Sequence, residues 1–353
     1  MSKVVVGMSG GVDSSVAAWL LKEQGYDVVG VTMQLWDGED VEGNCCGLTA
    51  AEDARAVAAK IGIPHYVLNF KDVFKDKVID YFIKEYLDAA TPNPCIACNR
   101  YVKWEAMLHR ALEIGADYIA TGHYANIVKH PITGRLTLKM ADNKDQSYAL
   151  YNLTQEQLSR TLMPDGAYPK SEIRKIAEKI GLRVAHKPDS QDICFVPEGD
   201  YGTFIKENTN AVIPEGDFVD NMGNVIGRHK GITNYTIGQR KGLGIALGVP
   251  AYVTAIDKAN NRVVIGSNDD LFKKSVLIKD YNPMGFGEIT EEVRCFGKLR
   301  YNQQKAPCVI RPKGEYIEAV FDEPQRAVTP GQAAVFYDDN YVVGGGVIVG
   351  AED

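Results

Sequence analysis

Near the start of the chain three β-branched residues, Val4-Val5-Val6, run straight into Gly7-Met8-Ser9-Gly10-Gly11 and then into Val12 to Gln24, where Val16, Leu20 and Leu21 have helical spacing. Strand, glycine turn and helix in that order commit this part of the chain to a parallel α/β arrangement, since the simplest return from such a helix is another parallel strand. The glycines let the backbone fold tightly and turn N–H groups toward an anion, and the helix N-terminus adds partial positive charge. A Walker A loop would need Gly-Lys-Ser/Thr here and a Rossmann turn would need G-x-G-x-x-G; neither is present.

The alternation continues downstream. A second strand, Val28 to Leu35, follows at once, and a helix from Thr49 to Ile61 leads to Tyr66-Val67-Leu68. A long amphipathic helix is expected from about Lys71 to Ala90, then another from Lys103 to Ile114 before the strand Tyr118-Ile119-Ala120. Strands separated by helical connections predict a parallel sheet with helices on both faces. Asp37 to Gly47 breaks the pattern with glycine and acid and reads as a mobile loop. From about Asp200 the texture changes to short runs such as Tyr252-Val253-Thr254, Arg262-Val263-Val264-Ile265, Ala333-Ala334-Val335-Phe336 and Tyr341-Val342-Val343. Short strands at turn-rich spacing predict small β domains. The expected boundaries are an α/β domain over 1–200, a small central β-rich domain over 201–270 and a C-terminal β domain over 271–353.

Composition narrows the function. The 353 residues give room for two or three domains. No apolar run approaches the ~18 residues of a membrane helix, and the opening segment is too short for a secretory signal. Seven cysteines, an odd number in a long chain, do not make a disulfide framework. The chain therefore reads as soluble and cytoplasmic, away from membranes, with reduced thiols. A net charge of −7 argues against indiscriminate coating of nucleic acid. Two stretches nevertheless lack acids: between Glu292 and Glu315 lie Arg294, Lys298, Arg300, Lys305, Arg311 and Lys313, and between Asp220 and Asp257 lie Arg228, Lys230, Arg240 and Lys241. These are either solvated basic surfaces or phosphate-contacting faces for one shaped RNA, and charge alone does not decide.

Ser9-Gly10-Gly11-Val12-Asp13-Ser14 resembles the PP-loop of ATP pyrophosphatases, which transfer AMP to an oxygen of the substrate. By that resemblance Ser9 and Ser14 bind phosphate and Asp13 helps hold Mg²⁺ with a hard carboxylate oxygen. The acceptor must then be found among nucleophiles elsewhere. Cys95-Ile96-Ala97-Cys98 follows the loop Thr91-Pro92-Asn93-Pro94, and Cys194 lies in Ser190-Gln191-Asp192-Ile193-Cys194-Phe195. A cysteine in a polar loop just before a helix is a candidate thiolate. Cys295 and Cys308 read as core residues, and Cys45-Cys46 are given no role.

With Gly122-His123-Tyr124, Lys144-Asp145-Gln146-Ser147-Tyr148, Tyr235-Thr236-Ile237-Gly238-Gln239-Arg240-Lys241-Gly242 and Leu299-Arg300-Tyr301, these motifs stand in the order of the bacterial tRNA-specific 2-thiouridylases, and the whole chain resembles that family. The resemblance implies a PP-loop domain with a parallel sheet, a small central β-rich domain and a C-terminal β-barrel. It implies ATP bound by Gly7, Met8, Ser9, Gly10, Gly11, Val12, Asp13, Ser14, Met33 and Gly122. Asn93, Pro94 and Cys95 are expected at the target uracil, with tRNA contacts from Lys144, Asp145, Gln146, Arg300 and Tyr301. It further implies adenylation of the C2 oxygen of a wobble uridine in tRNAs of the Lys, Glu and Gln type. A persulfide on Cys194 then delivers sulfur and Cys98 attacks or resolves it, with sulfur supplied by a relay protein or a cysteine desulfurase. The enzyme is expected to be a monomer. His123 reads as structural, since a formed thiolate needs no base.

Cys95 departs from the family, where aspartate is common. Three thiolates, Cys95, Cys98 and Cys194, could instead hold a [4Fe-4S] cluster with one open iron, or zinc lacking a fourth protein ligand. Two other classes compete: a PP-loop ligase acting on a small metabolite, against which the cysteine pair and basic β domains count, and a non-catalytic RNA-binding or iron–sulfur protein, against which intact Ser9, Asp13 and Ser14 count.

Overall fold

The structure is a computed structural model that describes residues 1–36, 48–188, 193–196, 199–245 and 248–352. Cys45, Cys46, Ser190, Gln191, Asp192 and the expected loop Asp37 to Gly47 lie outside the described residues. The first sheet has the order β3-β2-β1-β4-β7, from β1 (Lys3–Gly7), β2 (Asp27–Gln34), β3 (His65–Asn69), β4 (Tyr118–Ala120) and β7 (Thr161–Leu162), and every pairing in it is parallel. β1 is central because its Val4, Val5 and Val6 are buried on both faces, the pattern of a strand covered by helices on each side. On one face pack α1 (Val12–Glu23) and α2 (Leu48–Ile61), and on the other the helices described next.

The amphipathic segment after β3 is helical without a break through Lys71–Phe74, Lys75–Asp80 and Tyr81–Leu87, the middle part in wider π-type turns. The helix expected from Lys103 starts earlier, at Pro94, and runs through Pro94–Ala97, Cys98–Met107 and Leu108–Glu113. The cause is local. Asn93 accepts hydrogen bonds from the N–H groups of Cys95 and Ile96, and Pro94 occupies the first helical position, where its missing N–H costs nothing. Cys95 and Cys98 are thus helical, on the first turns, rather than in the loop expected from Thr91-Pro92-Asn93-Pro94.

The central segment forms a four-stranded sheet, β10-β11-β8-β9, from β8 (Gly216–Val219), β9 (Val225–His229), β10 (Tyr252–Asp257) and β11 (Arg262–Gly266), over a core of Phe218, Tyr235, Val253, Val263 and Ile265. β12 (Phe272–Asn282), β13 (Val293–Lys298), β14 (Ala306–Lys313), β15 (Tyr316–Arg326), β16 (Ala333–Asp338) and β17 (Tyr341–Glu352) follow in a second sheet, which the β12–β17 pairing closes into a six-stranded barrel. Cys295 and Cys308 face each other inside this barrel, buried, with sulfurs 3.7 Å apart, as their core reading anticipated.

One connection was not legible in the sequence. A hairpin of β5 (Ala125–Lys129) and β6 (Leu136–Met140), inserted in the α/β half, adds to the barrel through the Lys139–Tyr341 pair. The Thr137 hydroxyl donates to Val342 O at 2.6 Å, and the Arg135 guanidinium donates to the carbonyls of Met284 and Pro283, each at 2.9 Å. The barrel is thereby tied to the nucleotide-binding half by backbone pairing as well as packing.

Candidate active site

The glycine turn is shaped for an anion. Gly10 has φ +66°, and a Cβ there would collide with the Ala50 backbone at the start of α2, so only glycine fits. Gly11, the residue before α1, supplies no capping side chain, which leaves the first N–H groups of the helix available to a ligand. The Ser14 hydroxyl accepts from the Ser9 N–H at 3.1 Å and lies 3.3 Å from the Ser9 hydroxyl, closing the loop on itself. Gly122, at the end of β4, lies so near Asp13 and Ser14 that a Cβ would stand 2.5 Å from the Ser14 nitrogen. Met8 and Val12 are buried in the core, so only their backbones can meet a nucleotide. Met33 is half-buried against the core beside the loop.

Asp13 organises the charge. Its Oδ1 accepts from the Tyr124 hydroxyl and from the Lys170 ammonium, each at 2.6 Å, and its Oδ2 lies 4.0 Å from the Lys144 ammonium. Lys187 donates to Gly10 O at 3.2 Å and pairs with Asp53 at 2.9 Å, and Asp53 in turn pairs with Arg183. Lysines 144, 170 and 187 therefore ring the glycine turn, the cation set a triphosphate requires. Lys170 and Lys187 escaped sequence reasoning because they lie over 150 residues from the loop and carry no local motif. Asp165 escaped it too. It is fully buried near Asp13 and Lys170, neither carboxylate oxygen has a partner, and burial first and the Asp13 charge second hold its pKa well above the ordinary carboxylate range.

The cysteines expected to react come from two segments seated on one core. Cys95 is exposed and Cys98 half-buried on the first helical turns after Asn93, while Cys194 is half-buried in a turn closed by a Val196 N–H to Ile193 O bond. Phe195 fixes that turn: its ring meets Phe82 at 5.4 Å, Phe74 at 5.6 Å and Phe204 at 5.3 Å. Cys98 and Cys194 both pack on the cluster that these rings form with Val102 and Trp104. Among the described residues no three Cys, His, Asp or Glu side chains stand close enough to hold a metal ion.

The Lys144-Asp145-Gln146 stretch spans the distance from the glycine turn to the barrel. Lys144 points toward Asp13 and over the Tyr124 ring. The Gln146 side chain accepts from the Tyr124 N–H at 2.9 Å. Asp145 accepts from the Ser147 N–H and hydroxyl, and burial raises its pKa. Its carbonyl receives the Tyr301 hydroxyl at 3.2 Å. Asp145 and Gln146 thus hold this segment in place, with their side chains turned to protein groups. His123 is neutral, its pKa held well below the ordinary value by burial and then by Lys103, and its Nδ1 lies 2.8 Å from the Thr121 hydroxyl.

Arg300, expected at the tRNA, makes its hydrogen bonds within the protein. One guanidinium nitrogen donates to Ala327 O at 2.5 Å, the Thr329 hydroxyl at 3.0 Å and Ile237 O at 3.3 Å, bridging the barrel to the central segment. The acid-free stretch around it is largely neutralised by acids from elsewhere. Arg294 pairs with Asp322, Arg311 with Glu292 and Glu318, and Lys313 with Glu318 and Glu352. An acid-free run in sequence is not acid-free in space, because neighbouring strands bring their own carboxylates.

Comparison with known proteins agrees with this geometry. Three family profiles match in order: one described as a tRNA methyl transferase HUP domain over residues 2–198, a tRNA methyl transferase PRC-barrel domain over 202–267, and an aminomethyltransferase beta-barrel domain over 273–348. The chain is 59% identical to the tRNA-specific 2-thiouridylase MnmA of Lachnoclostridium phytofermentans, covering 99% of this chain and all of that one. It is 57% identical to the protein of that name from Clostridioides difficile, with 98% of each covered. The U34-tRNA thiolase NcsA of Methanococcus maripaludis, solved with its [4Fe-4S] cluster, is far more distant: 20% identity and a TM-score of 0.36 over 58% of this chain and 63% of that one, a likeness too weak to bear on a cluster here. No helix among the described residues is long and apolar enough to cross a membrane. Identity above one half along the whole length, with a family profile matched over residues 2–198, makes this chain a member of the tRNA-specific 2-thiouridylase family.

Proposed function

We propose that this ATP-dependent tRNA uridine sulfurtransferase acts on the C2 position of a wobble uridine through a cysteine persulfide. The observation that carries the reading is the seating of Cys98 and Cys194, from distant segments, on one hydrophobic core rich in aromatic rings. ATP lies with its phosphates on the Gly7–Ser14 turn, among Lys144, Lys170 and Lys187. Asp13, whose Oδ1 is held by Tyr124 and Lys170, is the residue that would hold Mg²⁺ there, and the ion would supply charge to offset the triphosphate.

The uracil C2 oxygen attacks the α-phosphorus, pyrophosphate leaves, and the oxygen becomes part of an AMP leaving group. The terminal sulfur of a persulfide on Cys194 attacks C2. Cys98 attacks the inner sulfur, so the persulfide bond breaks as a Cys98–Cys194 disulfide forms and AMP departs. An external thiol reduces that disulfide before the next turnover. The base must leave its stack to be reached, at a cost of roughly a few kcal/mol. Cys95 is the exposed residue offered to the flipped base, while Asn93 and the buried Pro94 fix the helix start that carries it, and the partly exposed Tyr301 offers a ring for stacking. Sulfur arrives from a relay protein or a cysteine desulfurase, and tRNAs of the Lys, Glu and Gln type are the substrates.

The test is single-turnover thiolation of an unmodified tRNA transcript by Cys98→Ser and Cys194→Ser. Both variants should release pyrophosphate and yield no 2-thiouridine. Thiolation by either variant would overturn the two-cysteine route.

A further inference from the structure

The six cations between Glu292 and Glu315 are not equivalent once folded. Arg294, Arg311 and Lys313 are ion-paired, Arg300 is bound to carbonyls, and Lys305 donates to Asp339 O and to the Asn340 side chain at 2.9 Å. Lys298 differs from all of them. It is the last residue of β13, only 9% exposed, and among the described residues its ammonium has no hydrogen-bond acceptor. It is held instead over two aromatic faces, 5.7 Å from the Tyr148 ring and 6.0 Å from the Tyr301 ring. Those rings meet edge to face, and Tyr301 bonds to the backbone of Asp145. Asp145 lies near enough to attract Lys298, but its carboxylate is already engaged by Ser147 and by the Ala141 N–H.

A largely buried lysine whose ammonium meets no protein acceptor is costly unless water or a ligand supplies the missing anion or lone pair. The seam where it lies joins the barrel to the Lys144-Asp145-Gln146 segment, and the turn Ser147–Leu150 that carries Tyr148 packs against the helix start Pro94–Ala97, with the Asn99 side chain donating to Ala149 O at 2.9 Å. Burial lowers the Lys298 pKa, as expected for a cation lacking its partner.

We infer that Lys298 binds a backbone phosphate of the RNA, next to the nucleotide presented to Cys95 and Cys98, with Tyr148 and Tyr301 as the aromatic walls that hold the ammonium in place. The inference rests on the reading of the chain as a tRNA-modifying enzyme and adds a residue to its RNA contacts. Lys298 supplies a fixed charge beside the reaction centre, whereas Tyr301, 37% exposed, supplies a face for stacking.

The experiment measures the affinity of the full-length enzyme for an unmodified glutamate-type tRNA transcript across a salt series, for wild type, Lys298→Met, Lys298→Gln and Lys298→Arg. Loss of one phosphate contact should shallow the slope of log K against log salt by about 0.7–0.9. Affinity at 0.1 M salt should fall about tenfold in the Met and Gln variants, the size of one charge-assisted hydrogen bond, and ATP affinity should stay unchanged. Lys298→Arg should keep the wild-type slope. A residue that merely props Asp145 would alter affinity without altering the slope. If Lys298→Met does not fold, the Gln variant carries the measurement. Wild-type slope and affinity in either neutral variant, with wild type itself thiolating tRNA, would overturn the Lys298 assignment alone. Failure of wild type to bind or thiolate tRNA would overturn the functional reading and this inference together.

Discussion

Gly122→Ala is a sharp test of how the nucleotide site is built, because it adds one methyl group at a known place. The new carbon would stand 2.5 Å from the Ser14 nitrogen and 2.6 Å from the Asp13 carbonyl carbon, both backbone atoms. Ordinary contact requires about 1 Å more, and close-packed interiors do not give that freely. β4 cannot retreat, because Ile119 and Ala120 are buried behind it, so the strain falls on the first turn of α1. Overpacking of this kind costs about 1–3 kcal/mol. The displaced N–H of Ser14 belongs to the phosphate cradle, so if binding must restore the original geometry, the ATP dissociation constant should rise roughly 5- to 150-fold. Gly350→Ala is the control, since a Cβ there meets nothing within 4 Å, and its stability should stay within about 0.5 kcal/mol of wild type. Calorimetric titration with ATP and urea unfolding together read both effects. A Gly122→Ala enzyme that binds ATP within about twofold of wild type and unfolds at the same urea concentration would refute this account of the site.

Arg300→Ala should destabilise the protein by about 2–3 kcal/mol in urea unfolding, because three acceptors on two parts of the chain lose a charged donor, and Arg300→Lys should restore little of it. Glu318 is held down to about 2, first by Lys313 and with help from Ser275 and Arg311, against burial. A depressed carboxylate contributes stability above its unfolded value of about 4.5 that is lost as pH falls toward 2, about 2–3 kcal/mol here given partners that are partly solvated, so Glu318→Gln should flatten the urea midpoint between pH 5 and pH 2.5. An unchanged acid slope would count against it. Cys95→Asp should keep thiolation activity within a fewfold of wild type, with no iron in either protein after anaerobic purification; a dead variant beside an iron-bearing wild type would reverse that expectation.

What was legible in the sequence was what local chemistry controls. Val4 to Ser14 specifies strand, turn and helix through residues that touch one another, so the parallel sheet and the glycine turn could be read directly. The Asn93-Pro94 pair is a helix start that also fits a loop, so the sequence alone leaves Cys95 and Cys98 outside the helix that carries them. Lys170 and Asp165 could not be found this way, since their meaning arises only when the helix Lys170–Lys179 and the turn before it pack against α1, and Lys187, beyond that helix, only when its ammonium reaches Gly10 O. The charge of the barrel's basic run stayed undecided in the sequence for the related reason that Asp322, Glu318 and Glu352 reach it only across strands.

The hairpin of β5 and β6 has a consequence for the order of assembly. Its partner strand, β17, lies ~200 residues downstream, a separation that makes the contact slow to form. Until β17 arrives, β6 has an unsatisfied edge, a template for pairing with other chains. The segment that leaves this hairpin is Lys144-Asp145-Gln146, which bridges the nucleotide turn and the barrel. A nascent chain emerging from the ribosome can therefore build its glycine turn early yet cannot align it with the barrel until β17 has docked. Between those events the hairpin is the element most in need of a chaperone.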